Sequence, residues 1–188
     1  MEEHLKPALR SAIEFLEKKK YRYAVIGGLA LAQWDVARYT HDVDLKVLVP
    51  NNNYSSVRQS LRSAFPDRAR AHLPENPYIV AVNISNVIVD FLLALPGYEE
   101  LIIERAVRSD LGELSAWVCS AEDLIIQKVA ADREKDWLDI AALLKEQINK
   151  IDESYLDNLI AQFAEALEKP ELLTKYHRLL AKAKSQNV

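Results

Sequence analysis

Cysteine, glycine and methionine are all scarce in this chain of 188 residues: one Cys, four Gly and one Met. A single cysteine, Cys119, cannot form an internal disulfide, which points to a reducing, cytoplasmic setting. No apolar run approaches the roughly 20 residues of a membrane-spanning helix, so no membrane partner is expected. The acidic start, Met1-Glu2-Glu3-His4, lacks the basic and apolar regions of a secretory signal. Basic residues are not in excess: 24 Lys and Arg against 28 Asp and Glu give a net charge of −4, which excludes a broadly basic nucleic-acid surface. The hydrophobic share of 49% excludes a disordered chain. What remains is one ordinary globular domain, or a domain with a helical appendage, but not two large domains.

The first 119 residues read as mixed α and β. Leu5 to Lys20 has apolar residues at helical spacing, Tyr23 to Ile26 is a short buried strand, and Leu29 to Val36 reads as a helix. Asp42 to Val49 is a strand, Tyr54 to Phe65 an amphipathic helix, and Pro66 to Pro77 a loop. Tyr78 to Ile84 and Val87 to Leu95 flank Ser85-Asn86 as a hairpin; a helix over Glu99 to Ala106 and a strand over Leu114 to Val118 complete this half. From Ser120, an N-cap followed by acids, helical patterning runs to Lys182 in four segments, with no glycine after Gly112. The expected fold is α+β, a mixed sheet flanked by helices (1–119) followed by a C-terminal helical region (120–188). Trp34, Trp117 and Trp137 read as core.

Two of the four glycines, Gly27 and Gly28, are adjacent, directly after a strand and at the mouth of a helix. Such a pair lets the backbone turn tightly and lets an anion approach free N–H groups at the helix start, although a plain tight turn needs the same residues. Downstream, Asp42-Val43-Asp44-Leu45 alternates, so both carboxylates share one strand face. They repel unless a cation lies between them, and oxygen ligands suit Mg²⁺ or Mn²⁺; a solvent-facing strand end is the plainer alternative. Val87 to Leu93 is apolar except at Asp90, a carboxylate that must be protonated, metal-bound or paired with an arginine. Three acids on neighbouring strands beside an anion site describe metal-assisted phosphoryl or nucleotidyl transfer.

Gly27-Gly28-Leu-Ala, Arg38-Tyr-Thr40-His-Asp42-Val-Asp44-Leu and the late-strand Asp90 together resemble the nucleotidyltransferase superfamily of DNA polymerase β. They are most similar to the small bacterial AbiEii-like proteins, toxins of type IV toxin–antitoxin systems. The helical stretch Glu122 to Ile140 adds support. The resemblance implies an NTP substrate such as ATP, with Gly27 and Gly28 on its triphosphate and Lys128 facing the phosphates. It further implies metals on Asp42 and Asp44, and a second metal and the acceptor hydroxyl at Asp90. Many members of the superfamily have serine where this chain has Gly28, so a hydroxyl contact to phosphate is missing.

Arg38 and Thr40, just before the acidic pair, are placed to contact phosphate or to brace the loop. Asp136 and Asp139, with Arg133 and Lys135 nearby, read as an intrahelical ion network or as groups that orient Lys128. Arg58, Arg62, Arg68 and Arg70 fit either an RNA acceptor or a solvated face. The acceptor stays open among RNA (tRNA for a toxin), protein and an antibiotic-like small molecule. A toxin would bring an antitoxin protein as partner. A non-catalytic binding module of the same fold is the competing class.

Overall fold

The computed structural model describes residues 2–112 and 114–186. The chain separates into two compact units, one of Met1–Gln33 with Arg38–Cys119, the other of Trp34–Ala37 with Ser120–Val188.

In the first unit the order is α1 (Lys6–Lys18), β1 (Tyr23–Ile26), α2 (Gly27–Gln33), β2 (Asp42–Val47) and α3 (Tyr54–Ala64), then β3 (Ile79–Ile84), β4 (Val87–Leu93), α4 (Tyr98–Glu104), β5 (Val107–Asp110) and β6 (Ser115–Val118). The strands form one mixed sheet in the order β3-β4-β2-β1-β6-β5. β2 and β4 run parallel, β1 and β2 antiparallel. Alternation divides the central strands cleanly. Val43, Leu45, Val89 and Phe91 are fully buried, and α1 and α3 pack over that face. Phe91 stacks on Phe65 at 5.8 Å, and Phe65 meets Phe15 of α1 edge-on at 5.3 Å. The opposite face carries Asp42, Asp44 and Asp90. At its far end Lys46, 5% exposed, pairs with Glu99 of α4 at 2.5 Å, which satisfies an otherwise costly buried charge.

Ser85 and Asn86 both have positive φ, 50° and 64°, the requirement of a two-residue type I′ turn, and Ile84 pairs with Val87 across it as the hairpin reading expects. Three expectations need correction. The helix after the diglycine starts at Gly27 and ends at Gln33, so Trp34 to Val36 lies outside it. β5 is a strand that the sequence pattern does not reveal, since its side chains are mostly exposed and show no alternation. Trp117 is not core: it is 42% exposed with the Arg108 guanidinium 5.6 Å over its ring, because an edge pairing of β5 and β6 leaves one face of the ribbon uncovered.

The second unit is a bundle of α5 (Ala121–Ala131), α6 (Glu134–Gln147), α7 (Glu153–Ala166) and α8 (Glu171–Gln186). Leu124, Ile125, Val129, Ile140, Leu144, Leu156 and Ile160 form its interior. Ser120 caps α5 by accepting from the Asp123 N–H at 3.1 Å, and Asp152 caps α7 by accepting from the Tyr155 N–H at 3.0 Å. Gln147 donates to the Trp34 carbonyl at 3.1 Å, an anchor for the 34–37 excursion. Trp137 is half-buried, its indole N–H donating to Asp132 at 2.9 Å and Lys175 lying 5.3 Å over its ring. Among the described residues no helix is long and apolar enough to cross a membrane.

Candidate active site

Sheet register does most of the assembly. β2 and β4 pair with Asp44 opposite Asp90, while β1 pairs with β2 so that Ile26, the last residue before the diglycine, faces Asp44. Residues opposite one another share a sheet face, so the period of two that buries Val43 and Leu45 lifts Asp42, Asp44 and Asp90 together on the other side. One carboxylate oxygen from each lies within 4.8 Å of the others, and all three side chains are half-buried. Adjacent oxygen ligands of one octahedral Mg²⁺ stand about 3.0 Å apart and opposite ones about 4.2 Å, so these hard donors reach a shared divalent ion once their side chains close inward. Three carboxylates so close repel without a counter-charge.

The diglycine closes the site from the β1 side. Gly27 has φ of +66°, and a Cβ there would lie 2.2 Å from Asp44 Oδ2, so both its conformation and its surroundings demand glycine. A Cβ on Gly28 would meet Thr40 Cβ and Oγ1, each at 2.7 Å. Thr40 therefore fills the volume that a serine side chain at position 28 would need. Its hydroxyl donates to Asp42 Oδ1 at 3.0 Å, its amide donates to Glu2 Oε1 at 3.4 Å, and the residue is 7% exposed. Thr40 thus braces Asp42. Arg38 sits two residues earlier in the same irregular stretch, half-buried. His41 is exposed and stands edge-on to Tyr39 at 4.5 Å.

Asp90 combines both readings of its sequence. Besides joining the acidic cluster, it receives the Arg70 guanidinium, whose Nη1 lies 2.7 Å from each carboxylate oxygen. The hydrogen bond to Asp90 raises the Arg70 pKa above its usual value, and the charges of Asp42 and Asp44 act in the same direction. In the sequence Arg70 is only one of four arginines on a candidate face. The other three serve the loop instead: Arg58 and Arg62 of α3 pair with Glu75 at 3.1 and 3.0 Å and so tie the 66–77 segment to α3, while Arg68 pairs with Glu75 at 2.6 Å within the segment.

In the second unit the Lys128 ammonium lies 2.6 Å from Asp139 Oδ2 and 3.5 Å from Asp136 Oδ1, and the residue is 6% exposed. Arg133 adds a hydrogen bond from Nε to Asp136 Oδ2 at 2.5 Å. Burial alone would push the Asp136 carboxyl up, but Arg133 and Lys128 outweigh it and hold it below the usual value. Of the intrahelical network expected from the spacing, the Arg133–Asp136 pair is present, while Asp139 pairs with Lys128 from α5.

By sequence, no curated protein matches the chain. Among solved structures it is similar to an antigenic nucleotidyltransferase-like protein from Paracoccidioides brasiliensis, at 16% identity and a TM-score of 0.54 over 93% of this chain and 91% of that one. It is also similar to ANT(2″)-Ia in complex with adenylyl-2″-tobramycin, at 14% identity and 0.45 over 96% and 97%. A third similar structure is CdnC with ATP from E. coli MS115-1, at 17% identity and 0.38 over 88% and 64%. At these identities the likeness of the first establishes a shared fold. The model of one family, the nucleotidyltransferases of unknown function DUF6036, matches residues 3–184, and the chain belongs to that family.

Proposed function

We propose that this nucleotidyltransferase moves an NMP group from an NTP, with Mg²⁺ or Mn²⁺, to a hydroxyl acceptor. The observation that carries the reading is the convergence of Asp42, Asp44 and Asp90 beside the Gly27 turn. A divalent ion bound there would offset triphosphate charge and lower the pKa of the acceptor hydroxyl.

In this reading Asp42 and Asp44 hold the metal–triphosphate, and Thr40 keeps Asp42 in its rotamer. Gly27 and Gly28 bring the start of α2 close against Asp44 and Thr40, so that its N–H groups and Arg38 lie on the same approach to the triphosphate. Asp90 takes the proton of the acceptor hydroxyl. The acceptor oxygen bonds to the α-phosphorus as the α–β phosphoanhydride bond breaks, and pyrophosphate leaves. Lys128 serves by tying α5 to α6, since a direct role on phosphate would require it to give up Asp136 and Asp139. Membership of the AbiEii-like branch, with a tRNA or protein acceptor and an antitoxin partner, is the finer form of the proposal. It rests on the Arg38 to Leu45 motif.

The competing class, a non-catalytic module, draws on one observation: Arg70 already neutralises Asp90. Incubation with each α-labelled NTP, Mn²⁺ and total RNA or protein decides between them. Transfer that disappears in Asp44→Ala supports the enzyme. A correctly folded wild-type chain that binds neither Mn²⁺ nor NTP supports the module.

A further inference from the structure

The pairing of Arg70 with Asp90 is placed by backbone rather than by chance contact. Residues 67–69 lie against β3: the Ala69 N–H donates to the Ala81 carbonyl at 3.2 Å, the Asn83 N–H donates to the Asp67 carbonyl at 2.8 Å, and Arg68 bridges to Val82. Ala81 is in turn the register partner of Asp90. Arg70 follows at φ of +54°, a left-handed turn that aims its side chain back across β3 to the carboxylate. Both oxygens of Asp90 are then engaged at 2.7 Å, and one of them belongs to the three-carboxylate cluster. The partners differ in access: the Arg70 side chain is 37% exposed and that of Asp90 only 13%. Beside the guanidinium lies a cleft of about 180 Å³ lined by Arg62, Arg68, Leu73, Ile79 and Ala81, with room to receive it.

We propose that Arg70 is an exchangeable counter-cation of the acidic cluster, which a divalent ion must displace from Asp90. Arg70 is then a positioning residue and the 66–77 loop is the element that yields. The inference rests on the metal-dependent reading above. Nη1 shared by both oxygens fills the concave side of the Asp90 carboxylate, so a metal that binds on that side displaces it. A partly exposed arm can leave at modest cost. The pair therefore lowers metal affinity without abolishing it, while sparing the apo site the repulsion of three bare carboxylates.

Mn²⁺ titration by calorimetry or EPR, with no nucleotide present, compares wild type, Arg70→Gln and Asp44→Ala, and hydrogen exchange follows the 66–77 loop. Arg70→Gln should bind Mn²⁺ about three- to tenfold more tightly than wild type, the worth of a partly exposed charged hydrogen bond. In wild type, saturating Mn²⁺ should speed exchange at the Ala69 and Asn83 amides. Tight wild-type binding that depends on Asp44, with Arg70→Gln equal or weaker, overturns the exchange and leaves the enzyme reading standing. Absent Mn²⁺ binding in both wild type and Arg70→Gln overturns both. Should Arg70→Gln be poorly folded by circular dichroism, the exchange experiment on wild type decides alone: loop amides unchanged or protected by Mn²⁺ refute the proposal.

Discussion

Substituting Gly27 by alanine separates two demands that meet at one residue. The left-handed backbone costs an L-residue about 1–2 kcal/mol wherever it occurs. The added methyl would also sit 2.2 Å from Asp44 Oδ2, 3.1 Å from its Cγ and 3.2 Å from its Cβ, so the whole carboxylate must move. Gly112 supplies the control: its φ is +91°, and nothing lies within 4 Å of a Cβ built there. Gly112→Ala should therefore show the backbone cost alone, a fall in melting temperature of about 2–8 °C at 2–4 °C per kcal/mol for a chain of this size. Gly27→Ala should show at least that fall. In addition it should lose Mn²⁺ affinity and at least a hundredfold in nucleotidyl transfer, because a displacement of about 1 Å at a reacting group is worth that much. Thermal melts, Mn²⁺ calorimetry and label transfer from α-labelled NTP measure the three effects on both variants. If Gly27→Ala binds Mn²⁺ as wild type does while melting like Gly112→Ala, Asp44 is not held against the turn and the acidic cluster does not depend on the diglycine.

Gly28→Ser alone should destabilise by about 1–3 kcal/mol through overpacking against Thr40, and Thr40→Gly in the same chain should recover part of that loss in a double-mutant cycle; simple additivity would contradict the packing. Lys128→Met leaves Asp136 and Asp139 buried without their ammonium, and removing one partner of such a group costs about 3–5 kcal/mol. A melt at the wild-type temperature together with lost NTP binding would instead place Lys128 on phosphate. Asp132 is held at about 2, below 3.8, chiefly by the Trp137 indole N–H and then by Lys169 and Lys175. A depressed carboxylate stabilises above its unfolded value and loses that contribution as pH falls from about 4 towards 2. Asp132→Asn, which tolerates the positive φ, should cost about 1 kcal/mol near neutral pH after allowance for solvent screening, and only a small part of that at pH 2, where the native carboxylate is half protonated; an equal loss at both pH values would argue against the charge.

The acidic residues are legible because each announces itself against its background. Asp42 and Asp44 break a strand in steps of two, and Asp90 is the lone charge between Val87 and Leu93. Gly27 and Gly28 stand out in a chain with two other glycines. Partner choice is not legible. Nothing in the sequence separates Arg70 from Arg58, Arg62 and Arg68, since the difference arises from the left-handed turn and from the bridge of Arg68 to Val82, both consequences of tertiary pairing. Thr40 reads as a phosphate or loop residue, whereas its place under Gly28 depends on how two distant stretches approach. β5 has no periodicity to read because an edge ribbon with exposed side chains need not satisfy a core. Likewise, the short excursion of 34–37 is held by a glutamine more than a hundred residues away.

The in-register pairing of Asp44 with Asp90 also works as a proofreading device during folding. A slip of β2 by one residue would drive Asp42 and Asp44 into the greasy layer beneath the sheet and turn Val43, Leu45 and Val47 out to water. Each exposed aliphatic forfeits about 1.5–3 kcal/mol, and each buried carboxylate costs more. One-residue slips are thereby disfavoured twice over, and the alternation that fills the core also aims the acids.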